Sequence, residues 1–161
     1  MENNLIIVPR GDGKEAVKER ERIIRDFYHT WRTSHEGQKM YNLHLKEYIN
    51  IRQISLIETV EHAAKTYLST LAVLQLDAIL TNARKVKVVP KDKNTKNQSR
   101  FDRMIIMQYA CPGIGLVKLT VGVARRTHEK VQYCITALES EPVVKRKAST
   151  KDASLCPGDT Q

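Results

Sequence analysis

The chain has 161 residues, 41% of them hydrophobic, and 27 lysine and arginine residues against 18 aspartate and glutamate, for a formal net charge of +9. That length suits one domain with an ordinary core, and the basic excess argues for an anionic partner while saying nothing about fold. It excludes a membrane span: the longest apolar run, residues 68–80, is interrupted by Gln75 and Asp77, and a spanning helix needs about 20 apolar residues.

Residues 1–13 read as a flexible arm. Leu5 to Val8 is too short an apolar run for a signal peptide, and Pro9 and Arg10 follow at once, so the expected compartment is the reducing cytoplasm. Cys111, Cys134 and Cys156 are an odd set without C-x-x-C spacing and read as free thiols, neither disulfides nor a zinc site. Residues 14–33 carry Val17, Ile23, Ile24, Phe27 and Trp31 at helical spacing, which predicts an amphipathic helix ended by Gly37. Residues 41–48 fit a short strand or a helical turn. Ser55-Leu-Ile-Glu58 has the form of a capping box, with a hydroxyl for a first-turn amide and a glutamate to reach back. A helix is expected from there to about Thr66. A second, from about Ser69 to Ala83, is apolar around most of its circumference and should be the central core helix.

Residues 84–89 alternate basic and apolar, the pattern of a strand with one exposed face. Residues 90–100 have no apolar side chain beyond Pro90 and predict a solvated loop. Three strands are then expected, at 103–109, 115–124 and 130–138. In the second, Val117, Leu119, Val121 and Val123 oppose Lys118, Thr120 and Gly122. In the third, Val131, Tyr133, Ile135 and Ala137 oppose Lys130, Gln132, Cys134 and Thr136. Period-two alternation marks a sheet covered on one side, and the short links mark an antiparallel meander. The expected fold is α+β: helices on one face of a C-terminal antiparallel meander of about four strands, as a single domain over 14–138. Residues 139–161 lose all pattern and read as a disordered tail. That tail has four acidic and four basic residues, so the net +9 belongs to residues 1–138.

Two features carry chemistry. Residues 81–100 hold Arg84, Lys85, Lys87, Lys91, Lys93, Lys96 and Arg100 against one acid, Asp92. Such a run can track a phosphate backbone or merely solubilise a loop. The open sheet face should present Lys118, Thr120, Gln132 and Thr136, with Gln108 joining if register allows. Arg125, Arg126 and His128 sit in the adjoining turn. RNA cleavage by 2′-hydroxyl attack needs a proton acceptor, a donor and a cation facing the phosphate. His128 could serve as acid or base and Lys118, Arg125 or Arg126 as the cation. The plainer reading is that a wet face is polar. Glu58, Glu61 and His62 share a helix without a recognised metal-ligand spacing, so no metal and no cofactor are expected.

The strings Ile54-Ser-Leu-Ile-Glu-Thr59, Ser69-Thr-Leu-Ala-Val73, Lys96-Asn-Gln98, Val117-Lys-Leu-Thr-Val-Gly-Val123 and Val131-Gln-Tyr-Cys-Ile-Thr-Ala137 resemble those of proteins in Bacteroides-type bacteria and their mobile elements. The helices-then-meander order resembles the phage-associated domains grouped with the barnase, EndoU, colicin and RelE-like ribonuclease superfamily. That resemblance implies an α+β fold, RNA cleavage without metal, and a site on the open sheet face. It fixes no catalytic position. The expected partner is nucleic acid, RNA above DNA, and not a membrane. A cognate protein inhibitor or a phage protein is a second candidate partner. The alternative to a nuclease is a non-catalytic nucleic-acid-binding or protein-interaction module.

Overall fold

The structure, a computed structural model, describes residues 5–138; the expected tail lies outside them. Helix α1 (Lys14–Ser34) is followed by a hairpin of β1 (Lys39–Asn42) and β2 (Glu47–Asn50). Helices α2 (Gln53–Ala63), α3 (Tyr67–Val73) and α4 (Leu76–Asn82) come next. Strands β3 (Arg84–Pro90), β4 (Phe101–Cys111), β5 (Gly115–Ala124) and β6 (Lys130–Ala137) complete the chain. The α+β class holds, and β3 to β6 form the expected antiparallel meander. The sheet is larger, however: six strands in the order β1-β2-β6-β5-β4-β3, with β2 parallel to β6. No helix among the described residues is long and apolar enough to cross a membrane.

Helix α1 packs its apolar stripe inward, burying Ile23, Ile24, Tyr28 and Trp31. Its Arg20 is fully buried without a carboxylate partner among the described residues. The guanidinium instead donates to the carbonyls of Pro9, Gly11, Ala64 and Lys65, tying the N-terminal arm to the end of α2. The expected single helix over 69–83 is two. Gln75, at φ −108° and ψ 34°, leaves the helical region, so α3 and α4 meet at a break with neither glycine nor proline in it. The main core lies between the helices and one sheet face, with Val73, Leu76, Ile79 and Leu80 against Val117, Leu119, Val121 and Ile135.

The α2 start differs from the capping-box expectation. Arg52 is the N-cap, and Ser55 sits three residues in, where its hydroxyl accepts the Arg52 backbone amide. The same hydroxyl donates to the carbonyl of Gln132, and Ser69 accepts the Ala137 amide. Beyond Val131, β6 has no strand neighbour on that side among the described residues. Two serines from α2 and α3 satisfy its open backbone groups, which covers an otherwise exposed sheet edge. Helix α2 therefore lies beside the sheet, in its plane. Its residues Ser55, Thr59 and Ala63 turn to β6 and the core, which frees a second stripe, Ile54, Glu58 and His62, for the opposite sheet face.

The expectation for β6 fails in one respect. Thr120 pairs with Cys134 but Val121 pairs with Gln132, so Tyr133 is an extra residue, a β-bulge. The alternation reverses there, because one inserted residue moves every later side chain to the other face. Gln132 thus joins Val121 on the helix side and is fully buried. Val131 and Tyr133 move to the other side, where they form a small second core with Ile54, Phe101 and Met104.

Candidate nucleic-acid cleft

The face of the sheet away from α1, α3 and α4 is half covered and half open. Register pairing defines its rows, since directly paired residues share a face. One row is Arg84–Gln108–Lys118–Thr136; the next is Lys87–Ile106–Thr120–Cys134; the third is Val89–Met104–Gly122–Val131. Neighbouring strands lie about 4.8 Å apart, so the first row spans roughly 14 Å with a cation at one end and another in its third position. The third row lies under the second core. There Phe101 packs flat onto Gly122, so close that a β-carbon on Gly122 would stand 2.6 Å from the ring.

Between the open rows, the loop after β3 and the second stripe of α2 lies a cleft of about 360 Å³. Its floor is Met104, Ile106, Lys118, Thr120, Cys134 and Thr136; its walls include Asp92, Gln98, Tyr133 and His62. Glu58 is buried beside it, 3% exposed. One carboxylate oxygen accepts from the Asn97 side-chain amide, and the other lies 3.3 Å from Nε2 of His62, which is 41% exposed. Glu58 also puts a negative charge near the phenol of Tyr133. Burial first, with Glu58 adding, pushes Tyr133 up to about 12. Burial likewise pushes the Cys134 thiol up to about 12, with Glu58 raising it further and Lys118 working against it. At neutral pH the Tyr133 phenol and the Cys134 thiol therefore keep their protons, and beside them the cleft holds the Lys118 side chain and a carboxylate-backed imidazole.

The loop 91–100 is more ordered than its composition suggested. Asp92 accepts from the Asn94 amide and the Thr95 hydroxyl, and its own amide donates to Gln98. The Thr95 hydroxyl first, and the Asn94 amide after it, hold the Asp92 carboxyl below its usual range. Asn97 then pins the loop to α2 through Glu58. The lysines Lys91, Lys93 and Lys96 and Arg100 ride on this frame, and Arg125 ties the β5–β6 turn to it by donating to the Ser99 carbonyl at 3.3 Å. Among the described residues, none of these cations, nor Lys118, Arg84, Lys85 or Lys87, lies within ion-pair distance of a carboxylate.

Comparison with protein-family models, curated proteins and solved structures finds no match.

The structure divides the expected site residues. Lys118, Thr120 and Thr136 share the cleft, and Gln108 joins their row. Gln132 leaves it: its side chain donates to Thr59 Oγ1 at 2.9 Å and accepts from the buried Tyr28 hydroxyl. Arg125, Arg126 and His128 stay in the turn. From Lys118 to Ala124 at the end of β5 is six residues, about 20 Å at 3.3 Å per residue, and the turn lies beyond it, so the turn does not converge with Lys118. Lys87 faces the cleft side with Ile106, while Lys85, paired with the core residue Met107, faces the helix side at the rim.

His62 enters the cleft in place of His128, with Glu58 buried behind it. A signal existed: Ile54, Glu58 and His62 recur at intervals of four, a stripe separate from Ser55, Thr59 and Ala63. Glu58, Glu61 and His62 also offer three ligand atoms within 4.8 Å of one another, the closest approach to a metal site among the described residues. Asn97 occupies one oxygen of Glu58 and His62 Nε2 lies 3.3 Å from the other, so the arrangement is a carboxylate–imidazole contact more than a ligand shell.

Proposed function

We propose that this protein binds RNA across the open sheet face and cleaves it in the Lys118–His62 cleft without a metal ion. The carrying observation is that one cleft is lined by a carboxylate-backed imidazole and, on its strand floor, by an ammonium group and two threonine hydroxyls. That set supplies the base, the cation and the hydrogen-bond donors that 2′-hydroxyl attack requires. In the reading, His62 takes the proton of the 2′-hydroxyl as its oxygen bonds to phosphorus. Glu58 stabilises the imidazolium that results. Lys118 faces the phosphate oxygens and gives a proton to the 5′ oxygen as the P–O5′ bond breaks. The products are a 2′,3′-cyclic phosphate and a 5′-hydroxyl. Setting the protein in a phage or mobile-element system rests on the sequence resemblance alone.

A second reading is a binding module without catalysis. It is favoured by the seven cations of the loop and turn (Lys91, Lys93, Lys96, Arg100, Arg125, Arg126) and strand (Lys87) that lie outside the cleft lining. Labelled RNA incubated with the protein in EDTA separates the two. The first reading expects cyclic-phosphate ends, lost in His62→Gln and in Lys118→Ala. Cleavage that needs added divalent metal, or survives both substitutions, refutes the assignment. Salt-sensitive binding without cleavage leaves the second reading.

A further inference from the structure

The β1–β2 hairpin carries an aromatic pair that the core does not use. Met40 and Ile49 face the helices, and Ile49 is fully buried. Tyr41 and Tyr48, directly opposite each other, point to the other face and remain 42% and 49% exposed. Their rings meet edge to face at 5.3 Å between centroids, and the Lys39 ammonium sits 4.5 Å from the centre of the Tyr48 ring. Cross-strand aromatic pairs do stabilise hairpins, but that role needs neither a lysine over the ring nor so much exposed aromatic surface.

The surroundings narrow the partner. By the parallel pairing of β2 with β6, Tyr48 and Asn50 share the sheet face of Val131, which is the face of the cleft. The start of β6, reached from the turn with Arg125 and Arg126, adjoins Ile49. Glu47 is held by Lys130 and Glu129 by Arg52, while Lys39 has no carboxylate within ion-pair distance among the described residues. The tyrosine pair is thus exposed aromatic surface beside an unpaired cation. Exposed rings next to cations suit an unpaired nucleotide, whose base stacks while its phosphate meets the charge. A duplex hides its base faces and would gain only the ionic part.

Resting on the RNA reading above, we propose that Tyr41 and Tyr48, with Lys39, form a base-stacking subsite for single-stranded RNA at the far end of the cleft-bearing sheet face. The test uses a fluorescent 2′-O-methyl RNA 12-mer, which lacks the attacking hydroxyl and stays intact. Its anisotropy is titrated with the wild type, with Tyr41→Ala/Tyr48→Ala, and with Tyr→Phe and Tyr→Leu versions of the same pair. The alanine and leucine pairs should bind roughly tenfold more weakly, and the phenylalanine pair like the wild type. Lys118→Ala should weaken binding independently. The duplex form of the oligonucleotide should not distinguish the tyrosine variants. Wild-type binding that both the alanine and leucine pairs retain overturns the subsite and leaves the RNA reading standing. A wild type that binds no RNA overturns the RNA reading itself. If the alanine pair unfolds, the contrast between leucine and phenylalanine still decides.

Discussion

Replacing Gln132 by leucine tests the element on which the cleft depends. With Tyr133 as a bulge, Gln132 is a core residue: its side-chain oxygen Oε1 accepts from the Tyr28 hydroxyl and its Nε2 donates to Thr59 Oγ1 at 2.9 Å. Leucine fills similar space, so the cost is polar. Two buried hydrogen bonds at about 1 kcal/mol net each are lost, and the Tyr28 hydroxyl keeps only a 3.3 Å contact with Thr59. Together these predict a loss of about 2–4 kcal/mol, or a fall in Tm of roughly 10 °C for a domain of this size. Adding Tyr28→Phe should recover part of it, because removing both partners leaves fewer stranded groups than removing one. Urea and thermal unfolding followed by circular dichroism measure both. RNA binding should be unchanged below the new transition. A variant within about 0.5 kcal/mol of wild type that binds RNA more weakly would put Gln132 in the cleft, and the bulge with everything built on it would be wrong.

Gly122→Ala should cost about 1–3 kcal/mol through overpacking, since the Phe101 ring below it is 1% exposed and edge-packed by Tyr133; hydrogen exchange should show the loop 96–100 loosening first, and an unchanged Tm would contradict the close approach. Stability should fall as pH rises from about 10 toward 12. Tyr133 titrates near 10 when unfolded but at about 12 when folded, so above pH 10 the unfolded chain binds fewer protons and is favoured; denaturant midpoints flat across that window would refute its burial. His128 holds a left-handed φ of 61°. A β-branched valine there should destabilise by about 1–2 kcal/mol and glycine should not; under the proposed mechanism neither should alter cleavage, because the imidazole stands far from Lys118. Lys87→Gln should lower the slope of log affinity against log salt by nearly one, and Lys85→Gln, which faces the other side, should leave it unchanged; equal effects would mean that the two lysines act only as a diffuse charge.

Much of the architecture was legible because its residues obey simple periods. The stripe Ile23, Ile24, Phe27 and Trp31 marks α1, and Val117, Leu119, Val121 and Val123 mark the buried face of β5, as the structure has them. What failed were events of the backbone. The break at Gln75 and the bulge at Tyr133 involve residues that could equally continue a helix or a strand, so nothing in their chemistry announces the change. The β1–β2 hairpin was ambiguous for a related reason. Its strands are four residues each, too short for alternation to declare itself, and their place in the sheet depends on a parallel pairing with β6 that lies 80 residues away in sequence.

The site shows the same division more sharply. Lys118, Thr120 and Thr136 were expected on one surface because they alternate out of phase with the valines of a single hairpin, a local property. His62 could not be placed without knowing that α2 lies in the plane of the sheet. That position follows from β2: a strand that pairs with only the first two residues of β6 leaves the rest of that edge open, and the following segment must close it. A helix closing an edge is seen from both faces, so it needs two useful stripes. One stripe, Ser55 and Thr59 with Ala63, serves the edge and the core. The other, Ile54, Glu58 and His62, begins in the second core and ends in the cleft. A buried glutamate in such a stripe costs several kcal/mol unless it is hydrogen-bonded or paired, and here the Asn97 side-chain amide donates to it and the imidazole that lines the cleft stands 3.3 Å away. The same contact that makes Glu58 tolerable therefore fixes both the basic loop and the imidazole relative to Lys118, which joins the charge-bearing and proton-handling parts of the proposed site into one arrangement.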